Sequence, residues 1–112
     1  MNEIKVRNLI TKLAKIFNVA KPRLEFYKNW SSAPEPKAPR SCRGCYFDGK
    51  DLIHFYGNPS KNVVCHEFYV HYIGDIGITP TAEQRSQVEN LIRSMPGETV
   101  WMAFSKGATN YK

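Results

Sequence analysis

The 112-residue chain has no apolar run long enough to cross a bilayer, so a membrane-spanning helix is not expected. Its first residues, MNEIKVRNLITKLAKIF, are punctuated by lysine and lack the unbroken apolar core of a signal peptide. An intracellular, cytoplasmic protein is therefore expected. Cysteine is scarce and odd in number. Three thiols cannot all pair with one another, which argues against a disulfide framework and for reduced thiols or metal ligands. Low-complexity tracts are absent, and the length suits one domain with a small core. Acidic residues are sparse in the first part: residues 1 to 44 hold ten Lys/Arg against three Asp/Glu, and residues 45 to 112 hold six against seven. The basic half offers an electrostatic footing for an anionic partner such as nucleic acid, or simply a solvated face.

The patterning predicts an α+β fold. Val6, Leu9, Ile10, Leu13, Ile16 and Phe17 make one apolar stripe, so residues 3 to 17 read as a helix with Asn2 as its cap. RLEFY, residues 23 to 27, reads as a short strand. Residues 29 to 41 carry three prolines and form a surface loop. GCYF (44 to 47) and LIHFY (52 to 56) flank an Asp48-Gly49 turn signal and read as a hairpin. Asn58-Pro59 is expected to open a helix running to about Ile73, with Gly74 as its stop. Thr79-Pro80 opens another, striped by Val88, Leu91, Ile92 and Met95. Residues 98 to 104 are a candidate final strand. The expected architecture is a small, mostly antiparallel sheet with an N-terminal helix, a buried motif helix and a following helix. The domain is expected to span residues 1 to 104. A loose tail, residues 105 to 112, would be placed to lie in the cleft and keep an enzyme latent.

The chemistry concentrates in VVCHEFYVHY, residues 63 to 72. Zinc takes imidazole, thiolate and carboxylate donors, and a catalytic site keeps a position for water. On a regular helix, side chains four apart lie about 40° apart around the axis and can share an ion. His66 and His71 are five apart, so on a regular helix they diverge by about 140°. A single π-type turn absorbs one extra residue and brings such a pair back together. Glu67 stands in an otherwise apolar run, and burying a carboxylate is costly enough to suggest a task.

With His66, Glu67 and His71 in place, together with the Gly44-Cys45-Tyr46 strand and the Leu52 to Tyr56 strand before them, the chain resembles a miniature zincin metallopeptidase. The likeness is to the SprT-like and small gluzincin group. It covers the element order of residues 3 to 95, and the departure is the H-E-x-x-x-H spacing, a form found in dipeptidyl peptidase III-like enzymes. The resemblance implies a zinc-dependent peptidase acting on a peptide or protein substrate. His66 and His71 would be ligands, Glu67 the general base for a zinc-activated water, and Glu89 (with Glu83 as the other candidate) the third ligand. Tyr69 or Tyr72 are candidates for stabilising the oxyanion. Substrate would add as a strand along residues 51 to 56, touching Leu52, His54 and Tyr56.

Two other readings compete. Cys42-x-x-Cys45 with Cys65-His66 has the donors of a structural Cys₃His zinc site. That would make the chain a small basic nucleic-acid-binding module, with Lys37, Arg40 and Arg43 beside the knuckle and aromatics such as Trp30 to stack bases. The other reading is a zincin fold kept as a binding domain without activity.

Overall fold

A computed structural model describes residues 1–100 of the chain. Helix α1 spans Glu3–Phe17. Asn2 caps it as expected, its Oδ1 accepting the Lys5 N–H at 2.9 Å. Its buried stripe is Val6, Leu9, Ile10, Leu13, Ala14 and Phe17. The helix ends at Asn18, whose left-handed backbone (φ 54°) turns its N–H onto the Ala14 and Lys15 carbonyls.

Strand β1 (Arg23–Tyr27) follows Pro22, then a 3₁₀ turn at Trp30–Ser32 begins the proline-rich strap. Strands β2 (Gly44–Phe47) and β3 (Leu52–Tyr56) form the expected hairpin. Its turn uses positive φ at Gly49 (75°) and Asp51 (50°). The sheet order is β1-β3-β2. Its two pairings differ: β2 runs antiparallel to β3, and β1 runs parallel to it. The sheet is thus mixed rather than mostly antiparallel. The reason lies in the strap. Tyr27 pairs with Tyr56 and Gly44 with Phe55, so the strap leaves β1 and enters β2 at the same end of the sheet. Passing over β3 there, it leaves β3 running the same way as β1.

Helix α2 is one continuous helix in three parts: α-helical Lys61–Cys65, π-helical His66–Tyr72 and α-helical Ile73–Asp75. Its cap is Ser60, whose hydroxyl accepts the Val63 N–H at 3.2 Å, so the helix opens two residues later than Asn58 would have it. It also runs past Gly74, and the left-handed stop falls at Gly77 (φ 86°). Helix α3 spans Ala82–Arg93, closed at its start by a capping box between Thr81 and Gln84. Residues 98–100 form no strand, and the rest of the candidate strand lies outside the described residues, as does the tail from 105 to 112.

Alternate residues of β3 serve two cores. Ile53 and Phe55 join α1, α2 and α3 in the main one, with Val64, Phe68, Ile73, Val88 and Ile92. Tyr56 faces the strap, with Ala33 and Ala38 buried beside it and Trp30 packed against them. Both faces of β3 are covered, which is why all five of its residues are buried. Lys61 is buried too; its ammonium donates to the Ile92 and Met95 carbonyls at 2.8 Å each and ties α2 to the end of α3. Among the described residues, no helix is long and apolar enough to cross a membrane.

Candidate metal centre

The extra residue of the motif is absorbed in the helix itself. The seven residues His66–Tyr72 are π-helical, and the Ile73 N–H reaches back five residues to the Phe68 carbonyl. Side chains five apart therefore come onto one face. The His66 and His71 rings lie with centroids 4.9 Å apart and planes at 80°. One donor atom from each of His66, Glu67 and His71 falls within 4.8 Å of the others. Two imidazoles and a carboxylate at that separation are a donor set that suits zinc or a similar divalent cation.

His66 and Glu67 are buried and His71 is half-buried. The Tyr46 backbone N–H, on the outer edge of β2, donates to Glu67 Oε1 at 2.9 Å. Burial pushes the Glu67 carboxyl up to about 7, and the Tyr46 N–H pulls the other way. The close approach of β2 to α2 depends on Gly44: a Cβ there would stand 2.9 Å from Val63 Cγ1 and 3.2 Å from Glu67 Cγ.

Two cavities open on this centre. One, of about 240 Å³, is lined by Cys42, Tyr46, Phe47, Asp48, Glu67 and His71 among others. The second, of about 270 Å³, is lined by Arg43, Asn62, Val63, His66 and Glu67 among others. Cys42, Gly44 and Glu67 border both. Each imidazole thus lines a different cavity, with Glu67 between them.

Several expected residues lie elsewhere. Glu89 is half-exposed on α3 and pairs with Arg93 at 3.7 Å, one helical turn on; Glu83 is exposed in the first turn of the same helix. Neither joins the donor group, because α3 packs against α1 and presents Val88 and Ile92 to the core. Leu52, His54 and Tyr56 are also away from the centre. They sit on the strap face of the sheet, while α2 packs on the opposite face and at the β2 edge. Nor can a peptide add along residues 51 to 56, since β3 is the middle strand and both its edges are already paired. His54 is held by Glu25 (3.2 Å from Nε2) and by the Tyr56 hydroxyl (3.3 Å from Nδ1). The Tyr72 hydroxyl donates to the Ala20 carbonyl at 2.7 Å, the Tyr69 ring packs on Phe17, and neither tyrosine lines the two cavities.

The cysteines do not make a second centre. Cys65 faces the main core, where burial pushes its thiol up; Cys42 and Cys45 pack under the strap. Burial pushes Cys45 up to about 11. Among the described residues, His66, Glu67 and His71 form the group of three or more donors that converge. Lys37 and Arg40 lie over the Trp30 ring at 3.7 and 5.3 Å, so this part of the basic surface is folded into the strap.

Two contributors carry little signal in the sequence. The Tyr46 N–H is a backbone donor that any residue supplies. Asn62 lies one turn before His66 and looks like an ordinary polar position on α2. No family model, curated protein or solved structure matches the chain.

Proposed function

We propose that this chain is a zinc-dependent metallopeptidase of zincin type, built on an H-E-x-x-x-H motif. The observation that carries the reading is the π-helical turn, which gathers His66, His71 and Glu67 where two cavities meet. His66 and His71 would hold the ion as two imidazole ligands, and with Glu67 serving as base no third ligand converges on them among the described residues. Zinc, when bound, polarises the scissile carbonyl and acidifies water. Glu67 takes a proton from the attacking water and returns it to the leaving amine. The Tyr46 N–H fixes the orientation of that carboxylate, leaving its second oxygen for the proton. Burial of His66 and Glu67 keeps bulk water from competing for the same groups.

The test is cobalt substitution followed by an assay on an unstructured protein substrate. One cobalt per chain without thiolate charge-transfer bands is expected, and hydrolysis that Glu67→Gln abolishes while metal content stays. Strong thiolate bands would move the metal to the cysteines and end this reading. Metal binding without hydrolysis would leave a zincin-like binding domain.

A further inference from the structure

Asn62 stands on α2 one turn before His66 and lines the cavity that His66 and Glu67 share. Its side-chain amide makes two bonds to one short stretch of backbone. Nδ2 donates to the Glu98 carbonyl at 2.8 Å, and Oδ1 accepts the Val100 N–H at 3.1 Å. A carbonyl and an N–H two residues apart, flanking Thr99, are the groups that one residue of a parallel strand engages on its neighbour. The Asn62 amide therefore reads extended backbone, with no demand on side-chain identity. Val100 itself is 45% exposed, so apolar burial does little to hold the stretch in place.

We infer that Asn62 is a peptide-backbone subsite of the centre, and that Glu98–Val100 fills it in cis. The ligand class is an extended peptide, taken irrespective of sequence. The inference rests on the peptidase reading for that choice of ligand. The cis segment then competes for the Asn62 amide itself, from the side of a neighbouring cavity of about 510 Å³ that Asn62 and Glu98 both line. Main-chain bonding of this kind supplies affinity without sequence preference, and a tethered competitor keeps it low until released.

The test uses the full chain without metal, so it stands apart from turnover. Val100→Pro removes the N–H that Oδ1 accepts, at an exposed position. The probe is acetyl-Glu-Thr-Val-amide, followed by NMR on the Asn62 side-chain amide. Val100→Pro should bind it about tenfold more tightly than the unaltered chain, the worth of one hydrogen bond. Adding Asn62→Ala should reverse the gain, and a probe with N-methylated valine should fail to bind. Equal binding to both chains, no binding to Val100→Pro, or indifference to Asn62→Ala would overturn the inference. Should Val100→Pro melt, hydrogen exchange at the Val100 amide decides: about tenfold faster in Asn62→Ala supports the grip, and no change overturns it. A chain that binds the probe yet cleaves nothing keeps the subsite and loses the peptidase reading.

Discussion

The rings of His66 and His71 lie 4.9 Å apart at 80°, although five residues separate them in a helix. In regular α-helix that spacing would turn them about 140° apart. The π-helical stretch removes the divergence, and it does so only across His66–Tyr72, with α-helical backbone on either side. Such single-turn bulges are a known accompaniment of functional sites.

Deleting Val70 tests whether the π turn is one inserted residue. In a regular core helix, a deletion rotates every later side chain by about 100° and ruins the packing. Here it should convert the turn to α-helix, with Tyr72 and Ile73 still facing the core and the two histidines now four apart. The melting temperature should stay within about 5 °C, roughly 1 kcal/mol for a domain of this size. Cobalt binding should persist. Loss of a cooperative melt would show that the longer register is built into the core.

Much of this site was legible in the sequence because its parts are local. The hairpin, the Asn2 cap of α1 and the histidine spacing are all short-range patterns. The sheet order was not. β1 meets β3 only because the strap carries the chain over β3 between β1 and β2, and no short-range pattern encodes that crossing. The same crossing makes β3 central and keeps Leu52, His54 and Tyr56 away from the cavities beside the two histidines. Glu89 failed for a related reason. Its position beside the Val88 and Ile92 stripe shows that it borders a buried face, but not that the face meets α1.

Glu67 gives the metal-free protein a pH dependence of definite sign. Its carboxyl sits at 4.5 in an ordinary setting and at about 7 in the fold, raised by burial. The folded state therefore binds this proton more tightly than the unfolded chain. Stability from this group is full below about pH 4.5 and is lost as pH rises through about 7. The span corresponds to roughly 3 kcal/mol. Glu67→Gln should flatten that fall between about pH 5 and pH 8 in urea titrations. A parallel decline in both proteins would show that other groups cause it.

Gly44→Ala addresses the contact between β2 and α2. The new methyl would meet Val63 Cγ1 at 2.9 Å and Glu67 Cγ at 3.2 Å. The strand and helix must then part slightly, at a cost of about 1–3 kcal/mol. The Tyr46 N–H to Glu67 bond should lengthen with them. Expected results are a lower denaturation midpoint and a reduced kcat, with cobalt affinity unchanged, because the methyl is not directed at either imidazole. Unchanged stability and kcat would mean that the helix yields without effect on Glu67.

Tyr56→Phe tests whether the strap shapes the cavity from the far side of the sheet. The Tyr56 hydroxyl accepts the Ala38 N–H at 3.2 Å and lies 3.3 Å from His54 Nδ1, with the ring 1% exposed. Without it, the Ala38 N–H loses this partner in dry surroundings, at about 1–3 kcal/mol. Ala38 and Cys42 both line the cavity that reaches His71, so loosening the strap blurs one wall of the binding space. The variant should show faster hydrogen exchange at Ala38 and a raised KM. Its kcat should hold, because Glu67 and both histidines are anchored on α2 and β2 rather than on the strap. A fall in kcat at constant KM would instead place the strap's influence on the reacting groups themselves.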